Sequence, residues 1–123
     1  MSKICILDYG AGNIASVYNI IKYLGFNCII SKDSEEIKKS SHIILPGVGA
    51  YSSLINKLKK NIDIENLSNE ILIKKKPFLG ICVGMQVLST RGYEFNECKG
   101  LNWIEGDVKI INNKKLPHIG WNS

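Results

Sequence analysis

The chain has 123 residues, of which 45% are hydrophobic and 22% charged, with a formal net charge of +5. That length is one domain at most, and the apolar share suffices for a packed core, which excludes a disordered chain. No apolar run is long enough to cross a bilayer, and Asp8 interrupts the first one too early for a secretory signal, so one cytoplasmic globular domain over 1–123 is expected, with no membrane partner.

The positive charge invites a nucleic-acid reading, but Arg91 is the only arginine. Arginine is the residue suited to bidentate base and phosphate recognition. The lysines fall in runs (Lys38-Lys39, Lys59-Lys60, Lys74-Lys75-Lys76, Lys114-Lys115) at or near expected helix ends, where they satisfy free carbonyls. Solvated helix ends are the favoured reading, with no nucleic-acid partner. The four cysteines form no C-x-x-C pair and have no histidine at ligand spacing, so neither a metal nor another cofactor is expected. Cys5 and Cys28 sit in apolar runs as small buried hydrophobes.

In chain order, Lys3–Leu7 reads as a strand followed by the turn Asp8-Tyr9-Gly10-Ala11-Gly12. Asn13 caps a helix whose Ile14, Val17, Ile20, Ile21 and Leu24 recur at helical spacing up to Gly25. Asn27–Ile30 is a second strand, and Asp33-Ser34-Glu35-Glu36 has the form of a capping box opening a short helix. Ser41–Leu45 is a third strand ending in Pro46-Gly47-Val48-Gly49. Helices follow through Leu54 and Leu58 and over Leu67–Lys75, the latter with Ile71 and Leu72 inward. Pro77–Ile81 is the fourth strand. Ser89–Gly100 reads as loop, and Trp103–Ile111 as strand-like with Gly106 interrupting. Short apolar strands separated by helices imply a doubly wound, mostly parallel α/β sheet covered on both faces. Sites in such sheets form at the carboxyl ends of the strands.

One such end reads Gly80-Ile81-Cys82-Val83-Gly84, directly before the helix-forming Met85-Gln86-Val87-Leu88. This is the strand-to-helix nucleophile elbow with cysteine in place of serine. Unpaired N–H groups at a helix start favour a thiolate over a thiol. The N–H of Val83 then points at the oxygen of an attacked carbonyl, and the Pro46–Gly49 loop is placed to supply a second donor. Acyl transfer through a thioester is the implied reaction class, against a small residue at a tight junction. A base is also needed. His42 begins a strand and so lies roughly 15 Å from Cys82, at the other end of the sheet. His118 is late enough to fold back, but no acid follows to orient it.

Four motifs resemble the class I glutamine amidotransferases of flavodoxin-like fold, and among them the glutaminase subunit of imidazole glycerol phosphate synthase in histidine biosynthesis. They are Asp8-Tyr9-Gly10-Ala11-Gly12-Asn13, Leu45-Pro46-Gly47-Val48-Gly49-Ala50, Pro77 through Gln86, and Leu116-Pro117-His118-Ile119-Gly120-Trp121-Asn122. The resemblance makes Cys82 the nucleophile toward L-glutamine, with Val83 and Val48 as oxyanion donors. It assigns Gly47, Gly49, Gln86 and Glu94 to the substrate, Glu94 suiting the α-ammonium. Asn13 and Trp121 match positions facing a TIM-barrel cyclase that consumes the released ammonia in a heterodimer.

Two departures qualify the match. Ser89-Thr90-Arg91-Gly92-Tyr93-Glu94 is closer to a paralogous branch whose partner aminates a nucleotide-sugar precursor of surface polysaccharide. Family members also continue past the Trp-Asn motif to a catalytic His and Glu, whereas this sequence stops at Ser123. The resemblance thus implies a C-terminally incomplete domain, inactive alone, or a non-catalytic interaction domain.

Overall fold

The computed structural model of the chain describes residues 2–10 and 13–111. The four apolar runs become β1 (Ile4–Leu7), β2 (Cys28–Ser31), β3 (His42–Leu45) and β4 (Phe78–Gly80), all parallel in the order β2-β1-β3-β4. Helices α1 (Ile14–Tyr23), α2 (Ser34–Lys39), α3 (Tyr51–Asn61) and α4 (Ile64–Ser68) lie between them in the chain. The winding reverses between β1 and β3, the kind of point at which open parallel sheets form a crevice. The expected doubly wound, mostly parallel sheet is the one observed.

Strand alternation divides the core. Cys5, Leu7, Ile43 and Leu45 pack with Ile37, Leu54, Ile55, Leu58 and Leu67 on one face. Ile6 and Ile44 pack with Ile14 and Ile21 of α1 on the other. Each such side chain contributes about 1.5–3 kcal/mol on burial. Double-sided cover holds for β1 and β3 but not for β4, where Leu79 is 54% exposed. The cluster on that face is built by a single helix, which accounts for the gap.

Two caps differ from the sequence reading. Asp33 accepts the Glu35 N–H at 3.3 Å, but Glu36 does not close the box. Its carboxylate pairs with Lys3 Nζ at 2.9 Å, which holds it below the usual carboxylate range, and the Asp33 N–H goes to Ser31 Oγ. Asn13 occupies the N-cap position of α1 without accepting a backbone N–H; its Oδ1 takes the Ser16 hydroxyl at 3.0 Å.

The helix expected over Leu67–Lys75 is α4 followed by a π-helical turn, Asn69–Ile73, in which the Lys74 N–H reaches Asn69 O at 3.0 Å. The wider turn changes which side chain faces in. Glu70 is 1% exposed, Leu72 is turned outward at 41%, and Ile71 stays against the core. Glu70 is neutralised by Lys76 Nζ at 2.8 Å on Oε1 and by Lys74 Nζ at 2.7 Å on Oε2, the latter a charge contact outside hydrogen-bond angles. Lys76 also donates to the Ile37 and Lys38 carbonyls at the end of α2. It is therefore a largely buried link between α2, the π turn and β4, not a solvated helix end.

A second, three-stranded sheet forms where a loop and one strand-like run were expected. It comprises β5 (Arg91–Gly92), β6 (Cys98–Lys99) and β7 (Asp107–Val108), with β5 central, antiparallel to β6 and parallel to β7. Trp103 docks the following segment, edge-on to Phe78 at 5.1 Å between centroids, with its indole N–H on Ser68 Oγ at 3.2 Å.

Removing Lys76 leaves the buried Glu70 carboxylate with the half-exposed Lys74 alone and takes the donor from the Ile37 and Lys38 carbonyls, so Lys76→Met is expected to cost about 1–3 kcal/mol in denaturant unfolding. Lys74, then Lys76, holds the Glu70 carboxyl below its usual range. Its stabilisation is therefore complete above the ordinary carboxylate range, about pH 4–5, and is lost as pH falls through the depressed native value. Thermal midpoints of the wild type should fall more steeply on acidification than those of Glu70→Gln. Parallel curves would remove the network from the account.

Candidate active site

The elbow joins β4 to α5 (Val83–Gln86). The Ile81 N–H continues the sheet onto Leu45 O at 3.0 Å, and the Gly84 N–H closes a turn on Ile81 O at 2.9 Å. Met85 and Gln86 N–H groups both reach Cys82 O, at 2.9 and 3.1 Å. Cys82 is exposed at φ 55°, ψ −121°, backbone that favours glycine and costs a side-chain-bearing residue about 1–3 kcal/mol. The helix is one turn long, shorter than the sequence implied, so little macrodipole accumulates behind the cysteine. What the elbow offers an oxygen is the Val83 N–H, which has no hydrogen-bond partner among the described residues.

Close approach dictates the glycines. A Cβ on Gly84 would lie 2.1 Å from Leu45 O, and one on Gly80 2.6 Å from Gly84 O. A Cβ on Gly47 would lie 2.3 Å from Gly84 N, which gives Gly47 a packing role against the elbow. Leu45 pairs with Gly80 in register, so the chain after Leu45 emerges beside Ile81 and Cys82. Tyr9, 1% exposed, donates its hydroxyl to Pro46 O, and Asn61 Nδ2 donates to Tyr9 O at 3.1 Å. The turn after β1 thus steadies the loop after β3.

Two cavities meet at this junction. Gly49, Tyr51, Val83, Gln86, Tyr93, Glu94 and Lys109 line one of about 300 Å³. Gly47, Val48, Cys82, Asn13 and Tyr9 line a cleft of about 150 Å³. The structure therefore gathers Gly49, Gln86, Glu94 and Val83 on one side and Cys82, Val48 and Asn13 on the other. The two groups adjoin through the Cys82–Val83 and Val48–Gly49 peptides. A wider groove of about 520 Å³ along α4 contains none of the motif residues. Trp121 and His118 lie outside the described residues, and His42 sits at the opposite sheet end, paired in register with Ile4.

Tyr51 is the residue that sequence reasoning missed. Its N–H, first in α3, donates to Glu94 Oε2 at 3.0 Å. Its ring lies against Gly92, where a Cβ would come within 2.6 Å. Its hydroxyl meets Ser89 Oγ at 2.9 Å, and Ser89 donates onward to Gln86 O at 2.7 Å. One buried residue, through its backbone N–H and its hydroxyl, therefore links Glu94 to the end of α5. Burial raises the Tyr51 and Tyr9 hydroxyls above the ordinary tyrosine range, which keeps both as donors. The only sequence signal was its place directly after the Pro46–Ala50 loop.

The sequence profile of the family described as "Glutamine amidotransferase class-I" matches residues 5–123. The chain belongs to the class-I glutamine amidotransferase family. Among curated relatives, the imidazole glycerol phosphate synthase subunit HisH of Lactococcus lactis is 47% identical over 123 residues, covering 99% of this chain and 60% of that protein. HisH 1 of Campylobacter jejuni is 42% identical over 122 residues, covering 97% and 61%. HisH 2 of Vibrio vulnificus is 41% identical over 125 residues, covering 98% and 58%. The chain thus spans about three fifths of the length of these relatives. A solved glutamine amidotransferase shares the fold, with a TM-score of 0.69 at 17% identity over 86% of this chain and 55% of that one.

The strain at Cys82 has a measurable consequence for this amidotransferase domain. Cys82→Gly should raise the thermal midpoint by several degrees, the equivalent of about 1 kcal/mol or more released from the backbone. Gly84→Ala should lower it, because the added methyl meets the Leu45 carbonyl. A midpoint for Cys82→Gly at or below wild type would mean that the elbow is unstrained.

Proposed function

We propose that this chain carries the glutamine-hydrolysing site of a glutamine amidotransferase, with Cys82 as nucleophile. The observation that carries the reading is a strained, exposed cysteine whose neighbouring N–H borders a cavity holding an amide and a carboxylate, Gln86 and Glu94. In this reading the Cys82 thiolate attacks the side-chain carboxamide carbon of L-glutamine. The carbonyl oxygen gathers negative charge toward the N–H groups of Val83 and Val48. The C–N bond breaks, ammonia leaves after taking up a proton, and a γ-glutamyl thioester remains. Water then cleaves the thioester to glutamate and free thiol. No cofactor enters the sequence.

Glu94 receives the α-ammonium through the oxygen that Tyr51 leaves free, and Gly49 and Gln86 border the side chain. The proton donor for ammonia and the base for water are not among the described residues, since His42 is at the wrong end of the sheet. Elbow and oxyanion donors act without a base, so in this reading acylation outpaces turnover where only the described residues act.

Similarity to the HisH proteins supports a role as the glutaminase subunit of an imidazole glycerol phosphate synthase, which this reading takes to be a cytoplasmic heterodimer. The motif resemblance adds a TIM-barrel cyclase that would take up the ammonia, with Asn13 and Trp121 toward it. The stretch Ser89–Glu94 favours a second reading, a partner that aminates a sugar nucleotide. Among the described residues no helix is long and apolar enough to cross a membrane.

Brief treatment with a glutamine-shaped chloroketone followed by mass mapping should modify Cys82 ahead of Cys98. Cys5 and Cys28 should stay untouched, since burial pushes Cys5 up to about 11 and raises Cys28 as well. Preferential modification of Cys98 would sink the assignment. Ammonia release should remain far below the rate of adduct formation; matched rates would place a working base within the chain.

A further inference from the structure

An amino-acid substrate carries two opposite charges on its α-carbon, and Glu94 matches one of them. The same cavity also holds a lysine. Tyr93 and Lys109 follow directly on β5 and β7, which run parallel with Gly92 opposite Val108, and the Tyr93 N–H donates to Val108 O at 2.9 Å. That pairing brings Lys109 alongside Tyr93 and Glu94, and all three line the cavity with Gln86 and Val83. Lys109 Nζ sits 5.5 Å from the centre of the Tyr93 ring, a contact that orients the ammonium without neutralising it. Among the described residues it forms no ion pair, as is true of most of the described lysines, but it is the one of them that lines this cavity. Glu94 forms none either; its one described partner is the Tyr51 N–H.

We propose that Lys109 anchors the α-carboxylate of the substrate, forming with Glu94 a two-point clamp that holds a free α-amino acid with its side chain toward the elbow. This rests on the glutaminase reading and names the group that selects a free amino acid over a glutamine residue within a peptide. Both charges are exposed, so the pairing is worth about ten-fold in affinity, near the lower end for a hydrogen bond to a charged group.

The test compares two reagents on the 123-residue chain: the diazoketone analogue of L-glutamine, which must occupy the cavity, and iodoacetamide, which need not. The readout is the ratio of their second-order rate constants at Cys82. In Lys109→Met the ratio should fall about ten-fold, and Lys109→Arg should restore most of it. The α-carboxamide form of the diazoketone should react with the wild type about as slowly as the acid reacts with Lys109→Met. An unchanged ratio in Lys109→Met overturns the assignment, as does an equal loss with both reagents, which would show that Lys109 acts through the fold. If the diazoketone shows no saturation even on the wild type, the amino-acid site itself fails, an outcome distinct from saturation that survives the loss of Lys109.

Discussion

The backbone contact between Gly84 and the Leu45 carbonyl is the constraint on which the site depends. A side chain at Gly84, Gly80 or Gly47 would push α5, β4 and the loop after β3 apart by the width of a methyl group. Without that contact the Cys82 peptide relaxes from its unfavourable φ, and Val83 N–H no longer sits beside the Val48–Gly49 segment. Hydrogen-bond geometry alone would not produce this junction, because a strand followed by a helix can turn in many ways. Steric exclusion of every side chain but hydrogen selects the one that presents a sulfur at the sheet edge.

Strain at one residue persists only when its surroundings over-determine it. Here the surroundings are two fully buried tyrosines and one buried acid. Tyr9 fixes the Pro46 peptide from the β1 side, and Tyr51 ties Glu94 and the end of α5 to the start of α3. Glu70 and Lys76 anchor the approach to β4 against the end of α2. These groups sit on elements far apart in sequence, so the elbow is held by the whole sheet and not by its own loop.

What was legible in the sequence is what local chemistry encodes. The parallel sheet followed from short, mainly apolar runs at Ile4–Leu7, His42–Leu45 and Phe78–Gly80 separated by helices. The elbow followed from glycines two residues either side of Cys82. What was not legible depends on contacts across the fold. Leu72 satisfies helical periodicity as well as Glu70 does, and only the π turn, closed against Lys76, decides which faces inward. Nothing local to Tyr51 marks it, because Gly92 and Gly100 close over it from positions more than forty residues away. Strands β5 and β7 are two residues long each, too short to show a period, so the pairing that sets Lys109 beside Glu94 left no mark in the pattern. The capping box failed because Lys3, more than thirty residues away, competes for Glu36.

The most direct test of the account is protection of Cys82 by L-glutamine, whether bound beside the thiol or held on it as the thioester. Alkylation of Cys82 by iodoacetamide should slow saturably as L-glutamine is added, while D-glutamine and L-asparagine at equal concentration leave the rate unchanged. Such a result requires a chiral amino-acid site of the right depth adjoining the thiol. Absence of protection by L-glutamine, or equal protection by all three, would contradict the claim that the elbow and the adjoining cavity form one glutamine site.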